Sequence, residues 1–206
     1  MDQVQEFTHH YTALETVSVG TEFSAALAAQ CASRRYRRVL VVGSASLLRN
    51  QELRDRLRQA LGKRLAAVTT CVSAHTPRPT VMEVVNLARA VRADALVALG
   101  GGSVIDACKT AQLALDQRVA SEADLQRYAR RADGSEGPEV GKINHAASDY
   151  PLRIIAVPTT LSGAEYSDNA GVLDPQRKAK EGYRAPGLCP QAIIYDPDLG
   201  RYTPDW

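Results

Sequence analysis

Three glycines and a serine, Gly100, Gly101, Gly102 and Ser103, are the residues of this chain best suited to holding a phosphate. Without Cβ atoms the backbone can approach a diphosphate closely, so a side chain at Gly101 or Gly102 would occupy the phosphate's space. The apolar spacing that follows predicts a helix, whose first N–H groups and positive dipole end favour an anion. Ser103 can cap that helix or bond a phosphate oxygen. Asp106 and Lys109 lie three residues apart in its first turns, on one face. Glycines are also common at such turns where no ligand binds. The run is neither GxGxxG nor GxxxxGK[ST], so the ordinary Rossmann and P-loop fingerprints do not apply.

A second group is Pro158, Thr159, Thr160, Leu161, Ser162, Gly163, Ala164 and Glu165. It follows a predicted strand, and open α/β sheets bind ligands outside the carboxyl ends of their strands. Two threonines and a serine there can serve a cofactor's phosphate, ribose or amide groups. The plainer reading is a solvated Ser/Thr turn. Other reactive side chains carry less. Cys31, Cys71, Cys108 and Cys189 include no CxxC pair and read as reduced, small hydrophobes. His9, His10, His75 and His145 form neither HxxxH nor HExxH, so no metal ligands are expected among them.

Both groups need a scaffold, and the rest of the chain reads as one. Short apolar strands are predicted at residues 38–43, 65–72, 95–99, 154–157 and 192–195. Helices are predicted at 21–32, 51–61, 80–93 and 104–115, with a polar surface helix at 116–131 and a long exposed loop at 132–150. Alternation of this kind predicts an α/β fold with a parallel sheet flanked by helices. Continuously apolar strands fit a sheet covered on both faces. Residues 1–206 read as one domain.

Composition excludes several classes. Lys plus Arg number 25 and Asp plus Glu 23, a net +2, which argues against a polybasic nucleic-acid binder. Apolar stretches are broken by charge well short of the ~20 residues that cross a bilayer, so no membrane association is expected. Met1 to Glu6 lack the basic and apolar regions of a secretory signal. A soluble, cytoplasmic protein is expected.

Together the motif GGGSxxDxxK, here Gly100 to Lys109, and the later PTT resemble the iron-containing (group III) alcohol dehydrogenases. The segment PTTLSGAE is more similar to the maleylacetate reductase branch than to PTTAGTGSE. Lys178, Ala179 and Lys180, then Ala192 to Pro197, fit the same order. The resemblance implies a Rossmann-like, dehydroquinate-synthase-like N-terminal domain that binds NAD(P). It implies that Gly101, Gly102 and Ser103 hold the pyrophosphate, with Gly100 also at the cofactor, and that Thr159, Thr160 and Ser162 line the nucleotide. By the same resemblance Asp106 lies near the nicotinamide ribose and reacting centre as the catalytic candidate, and Lys109 of the same motif is a further cofactor-binding residue. Lys180 or Lys178 would reach the ribose, and Ser44 would sit near the adenosine ribose. The absence of a carboxylate among Gly43, Ser44, Ala45 and Ser46 slightly favours NADP(H).

In that family a helical half carrying the Fe or Zn ligands, one Asp and three His, follows the α/β half. That helical half is expected to be absent from this chain, whose last residues are Thr203, Pro204, Asp205 and Trp206. The expectation is therefore a chain that binds cofactor but does not turn over alone. Its substrates would be small alcohols, aldehydes or oxo-acids, and its partners a second copy in a homodimer or a helical domain in trans. Three readings stay open: half of an oxidoreductase or a split-enzyme subunit, a non-catalytic nucleotide- or protein-binding relative, and a lyase half of the same fold.

Overall fold

The computed structural model describes residues 13–143 and 152–202. His9, His10, His145, residues 144–150 of the expected loop and Thr203 to Trp206 lie outside the described residues. The main sheet has six parallel strands: β1 (Thr16–Val19), β2 (Val39–Gly43), β3 (Leu65–Thr69), β4 (Ala95–Gly100), β6 (Arg153–Pro158) and β9 (Ala192–Tyr195). Their spatial order is β1-β9-β6-β4-β2-β3. From β2 the chain winds one way to β3, and from β4 the other way through β6 and β9. The crevice between the carboxyl ends of β2 and β4 is thus the topological switch point, where such sheets take ligands.

Alternate residues of the central strands pack on opposite faces, which explains their unbroken apolar runs. Leu40, Val42, Leu96, Ala98 and Ile154 meet α4 (Arg78–Ala90) and α5 (Gly102–Asp116). Val39, Val41, Val97, Leu99 and Ile155 meet α1 (Phe23–Ser33) and α3 (Gln51–Leu61). The four-residue α2 (Ala45–Leu48) follows β2 directly. Among the described residues no helix is long and apolar enough to cross a membrane.

Three features depart from the sequence reading. β1 is an edge strand with alternating, half-exposed residues, too short and polar to stand out. The surface helix expected at 116–131 is only α6 (Glu122–Gln126), opened by a reciprocal Ser121–Asp124 capping box. α5 runs on through Asp116, and Arg118 takes a left-handed φ of 55° that ends it. A second sheet was not expected. It is antiparallel, in the order β5 (Arg130–Arg131), β8 (Ala179–Arg184) and β7 (Asn169–Asp174). Buried Arg78 fastens it to the body, 3.0 Å from Asp174, 2.8 Å from Glu181 and 3.2 Å from Glu122 of α6.

Candidate dinucleotide site

Register brings the two motifs together. Gly43 pairs with Leu99, and Leu99 with Val157, so β2, β4 and β6 end side by side. Hydrogen bonds continue past the strands, with Ser44 N–H donating to Leu99 O at 3.0 Å and Thr159 N–H to Gly100 O at 3.1 Å. The glycine turn is thereby tied to a loop on each side. A Cβ on Gly101 would stand 3.0 Å from Thr160 Oγ1, and one on Gly102 3.0 Å from Ser162 Oγ. The glycines therefore allow close approach of the second motif.

Gly101, in extended conformation, occupies the N-cap of α5, and no side chain caps that end. Val104 N–H turns back to Gly101 O at 3.0 Å, whereas the N–H groups of Gly102 and Ser103 precede any intrahelical acceptor. Ser103 lies inside the first turn and does not cap the helix. Its Oγ accepts from His75 N–H at 3.1 Å, and its carbonyl accepts from Thr76 Oγ1 at 2.9 Å. Ser44 caps α2 through Leu47 N–H at 3.4 Å.

Asp106 Oδ2 accepts from Gly171 N–H of β7 at 3.0 Å, and its Oδ1 lies 4.0 Å from Lys109 Nζ. Burial pushes the Asp106 carboxyl above its ordinary value, against the Gly171 N–H and the charges of Lys109 and Lys180. Lys109 is fully buried, and burial lowers its ammonium, against the pull of Asp106. Its three protons go to Ala164 O, to Asn169 O at 2.7 Å and to Ser167 Oγ at 3.3 Å. Lys109 thus holds the turn after the threonines. Lys178 is exposed on the hairpin between β7 and β8, in a left-handed conformation. Lys180, one strand position beyond Ala179, runs beside Gly171 and acts on Asp106.

A cleft of about 560 Å³ opens at the ends of β6 and β9, lined by Pro158, Thr159, Thr160, Leu161, Tyr195 and Asp196. Leu161 stands fully in solvent. The sequence reading missed Tyr195 as a wall of this cleft; the aromatic residue closing a predicted strand was the available signal. Its hydroxyl donates to Glu165, a carboxylate that is 1% exposed, and burial followed by that hydrogen bond raises the phenol well above its ordinary value. Among the described residues no group of three or more His, Cys, Asp or Glu side chains could hold a metal ion.

The model of the family described as iron-containing alcohol dehydrogenase matches residues 15–197. Dehydrogenase FUM7 of Gibberella moniliformis is 30% identical over 191 residues, which cover 91% of this chain and 44% of that protein. Sulfoacetaldehyde reductase of Bifidobacterium kashiwanohense, solved in complex with NAD+, superposes with a TM-score of 0.77 at 22% identity, covering 97% of this chain and 49% of that one. Maleylacetate reductase of Agrobacterium tumefaciens superposes with a TM-score of 0.68 at 23% identity, covering 98% and 46%. These two likenesses establish the α/β fold. The chain spans about half the length of these relatives.

Proposed function

Because the chain belongs to the iron-containing alcohol dehydrogenase family, we propose that it binds a nicotinamide dinucleotide and serves hydride transfer between that cofactor and a small alcohol or carbonyl compound. One observation carries this reading: the uncapped N-terminus of α5 opens on glycines at the switch point, between Ser44 on one side and Thr159, Thr160 and Ser162 on the other. Backbone N–H groups at a helix start, with the dipole behind them, suit the diphosphate. A bound nicotinamide supplies or accepts the hydride.

In this reading Gly100, Gly101, Gly102 and Ser103 hold the diphosphate, and the three hydroxyl residues of the second motif line the nucleotide. Asp106 stands near the nicotinamide ribose and reacting centre, oriented by Gly171 N–H, with Lys180 beside it. Lys180 takes the ribose rather than Lys178, which lies out on the hairpin. Lys109 keeps the second motif against the glycines from within the protein. The family names of the relatives, a dehydrogenase and a sulfoacetaldehyde reductase among them, support an alcohol or aldehyde as substrate class.

The reading extends to NADP(H), slightly favoured over NAD(H). Ser44, Ala45 and Ser46 stand where a carboxylate would bond the ribose hydroxyls and repel a 2′-phosphate. Fluorescence titration with NADH and NADPH tests both levels. Binding of neither overturns the site. Ser44→Asp should shift the affinity ratio about tenfold toward NADH, the equivalent of about 1.4 kcal/mol. Asp is as good an N-cap as Ser, so α2 is kept. An unchanged ratio removes the NADP(H) preference and leaves the site standing.

A further inference from the structure

A second concave site lies at the other end of the sheet, before β2 and β3 begin. It is a groove of about 710 Å³ between the last turns of α1 and α3, and its walls include Arg35, Tyr36, Arg37, Gln59, Lys63 and Arg64. Four of those six side chains are cations. No described carboxylate lies within the 4.0 Å ion-pair distance of any of them. Neighbouring Arg34 is different, paired with Glu15 at 3.1 Å. We propose that this groove binds a compact polyanion carrying two or more phosphoryl groups.

The plainer explanation is that cations gather at helix C-termini, and it falls short on charge. Two helix ends carry about one negative charge between them. Asp94 adds another, bound to Arg37 N–H at 2.7 Å and Arg38 N–H at 2.9 Å. The four cations exceed both. Guanidinium forks match phosphate oxygens two at a time, and four cations call for more negative charge than a single carboxylate carries. A volume within the roughly 300–1,000 Å³ of small-molecule pockets fits a compact ligand. Tyr36 supplies a fixed wall, its hydroxyl donating to Gln191 Oε1 at 2.6 Å.

Arg35 also provides a clean test. It takes a left-handed φ of 58° just past α1, where Arg35 N–H donates to Ala32 O and Tyr36 N–H to Cys31 O. That is the position at which helices most often place glycine. Arg35→Gly therefore removes a charge while easing the backbone. Arg92 holds the equivalent position after α4, with φ 49°, and lies outside the groove. Arg92→Gly is the matched control.

Binding of inorganic pyrophosphate and tripolyphosphate would be measured by calorimetry near 0.15 M ionic strength, with and without saturating NADH. The parent should bind in both conditions. Arg35→Gly alone should weaken binding several-fold at an equal or higher Tm, and adding Arg37→Gln and Lys63→Gln should weaken it at least tenfold. Arg92→Gly should stay within twofold of the parent, and NADH affinity should not move in any variant. The proposal is overturned if the triple variant binds within twofold of the parent, or if Arg92→Gly weakens binding as much as Arg35→Gly, which marks bulk charge. It is equally overturned if the parent binds no polyanion once NADH is present.

Discussion

Two long helices start on the carboxyl rim of the parallel sheet, and they treat their N-termini in opposite ways. At α1 the first N–H groups are met by carboxylates. Asp196 Oδ2 accepts from Phe23 N–H at 2.9 Å, and Glu22 accepts from Ser24 and Ala25 N–H at 3.0 Å each. Arg56 balances the pair, bonded to Glu22 and 3.8 Å from Asp196. At α5 the capping residue is Gly101 and the neighbours are the hydroxyls of Thr160 and Ser162. Glycine costs a helix only a few tenths of a kcal/mol as a cap relative to Ser or Asp. Leaving α5 bare thus costs the fold little and keeps its dipole free for a ligand, while that of α1 is already answered from within the chain.

The strongest way to break this comparison is to make α5 begin like α1. Gly101→Asp places a carboxylate at the N-cap, where the extended backbone accepts any residue. Its Cβ would stand 3.0 Å from Thr160 Oγ1, so that hydroxyl must shift by a few tenths of an ångström. Gly101→Asn has nearly the same shape without the charge. Relative to the parent, Gly101→Asp should lose at least 100-fold in NADH affinity, about 2.7 kcal/mol, with Tm little changed. Gly101→Asn should lose markedly less. Equal losses would mean that shape, and not the free dipole end, governs the site.

Lys109 sharpens the comparison from behind. Its ammonium joins α5 to the turn carrying the second motif, and it does so through backbone oxygens of Ala164 and Asn169. Lys109→Met keeps the bulk and leaves those carbonyls and Asp106 without their cation. Unfolding in urea should show a loss of about 2 kcal/mol, within the 1–3 kcal/mol typical of a buried polar group left unpaired. NADH should bind more weakly as Thr160 and Ser162 drift from the glycines. Full stability in this variant would show that the turn stands without the lysine.

The contrast between these regions also marks what could be read in the sequence. β2, β4, β6 and β9 were legible because strands buried on both faces are continuously apolar, and β9 at 192–195 and α3 at 51–61 were found to the residue. The glycine turn was legible because its chemistry is local, three glycines and a serine between a strand and a helix. The antiparallel sheet was not. Asn169–Asp174 and Ala179–Arg184 hold few β-branched residues, and their place is fixed by Arg78, about a hundred positions away in the chain. Lys109 shows the same limit within the site. Spacing put it on one face with Asp106, but its burial follows from acceptors 55 and 60 residues downstream. Local patterns announce local chemistry; partners brought together by the fold do not announce themselves.

The smallest expected effect belongs to the filled helix end and is read by pH. Partial burial pushes the Glu22 carboxyl upward, but hydrogen bonds from Ser24, Arg56 and Ala25 N–H outweigh it and bring it from 4.5 to about 2. A carboxylate whose folded value is depressed stabilises the native state fully above its unfolded value and loses that contribution as pH falls through the folded one. The window therefore runs from about pH 4.5 down to about 2. Glu22 is 43% exposed, so solvent screening holds the gain to under about 1 kcal/mol. Glu22→Gln keeps the size and a weak acceptor while removing the charge. Thermal unfolding of parent and variant should differ by a small constant amount between pH 6 and 8, and the difference should shrink below pH 4.5 and close near pH 2. Added salt should narrow it at neutral pH as well. A gap unchanged at pH 3 would mean that Glu22 acts on α1 by shape alone, and the contrast with α5 would then rest on Asp196, the one carboxylate at that helix end that is buried.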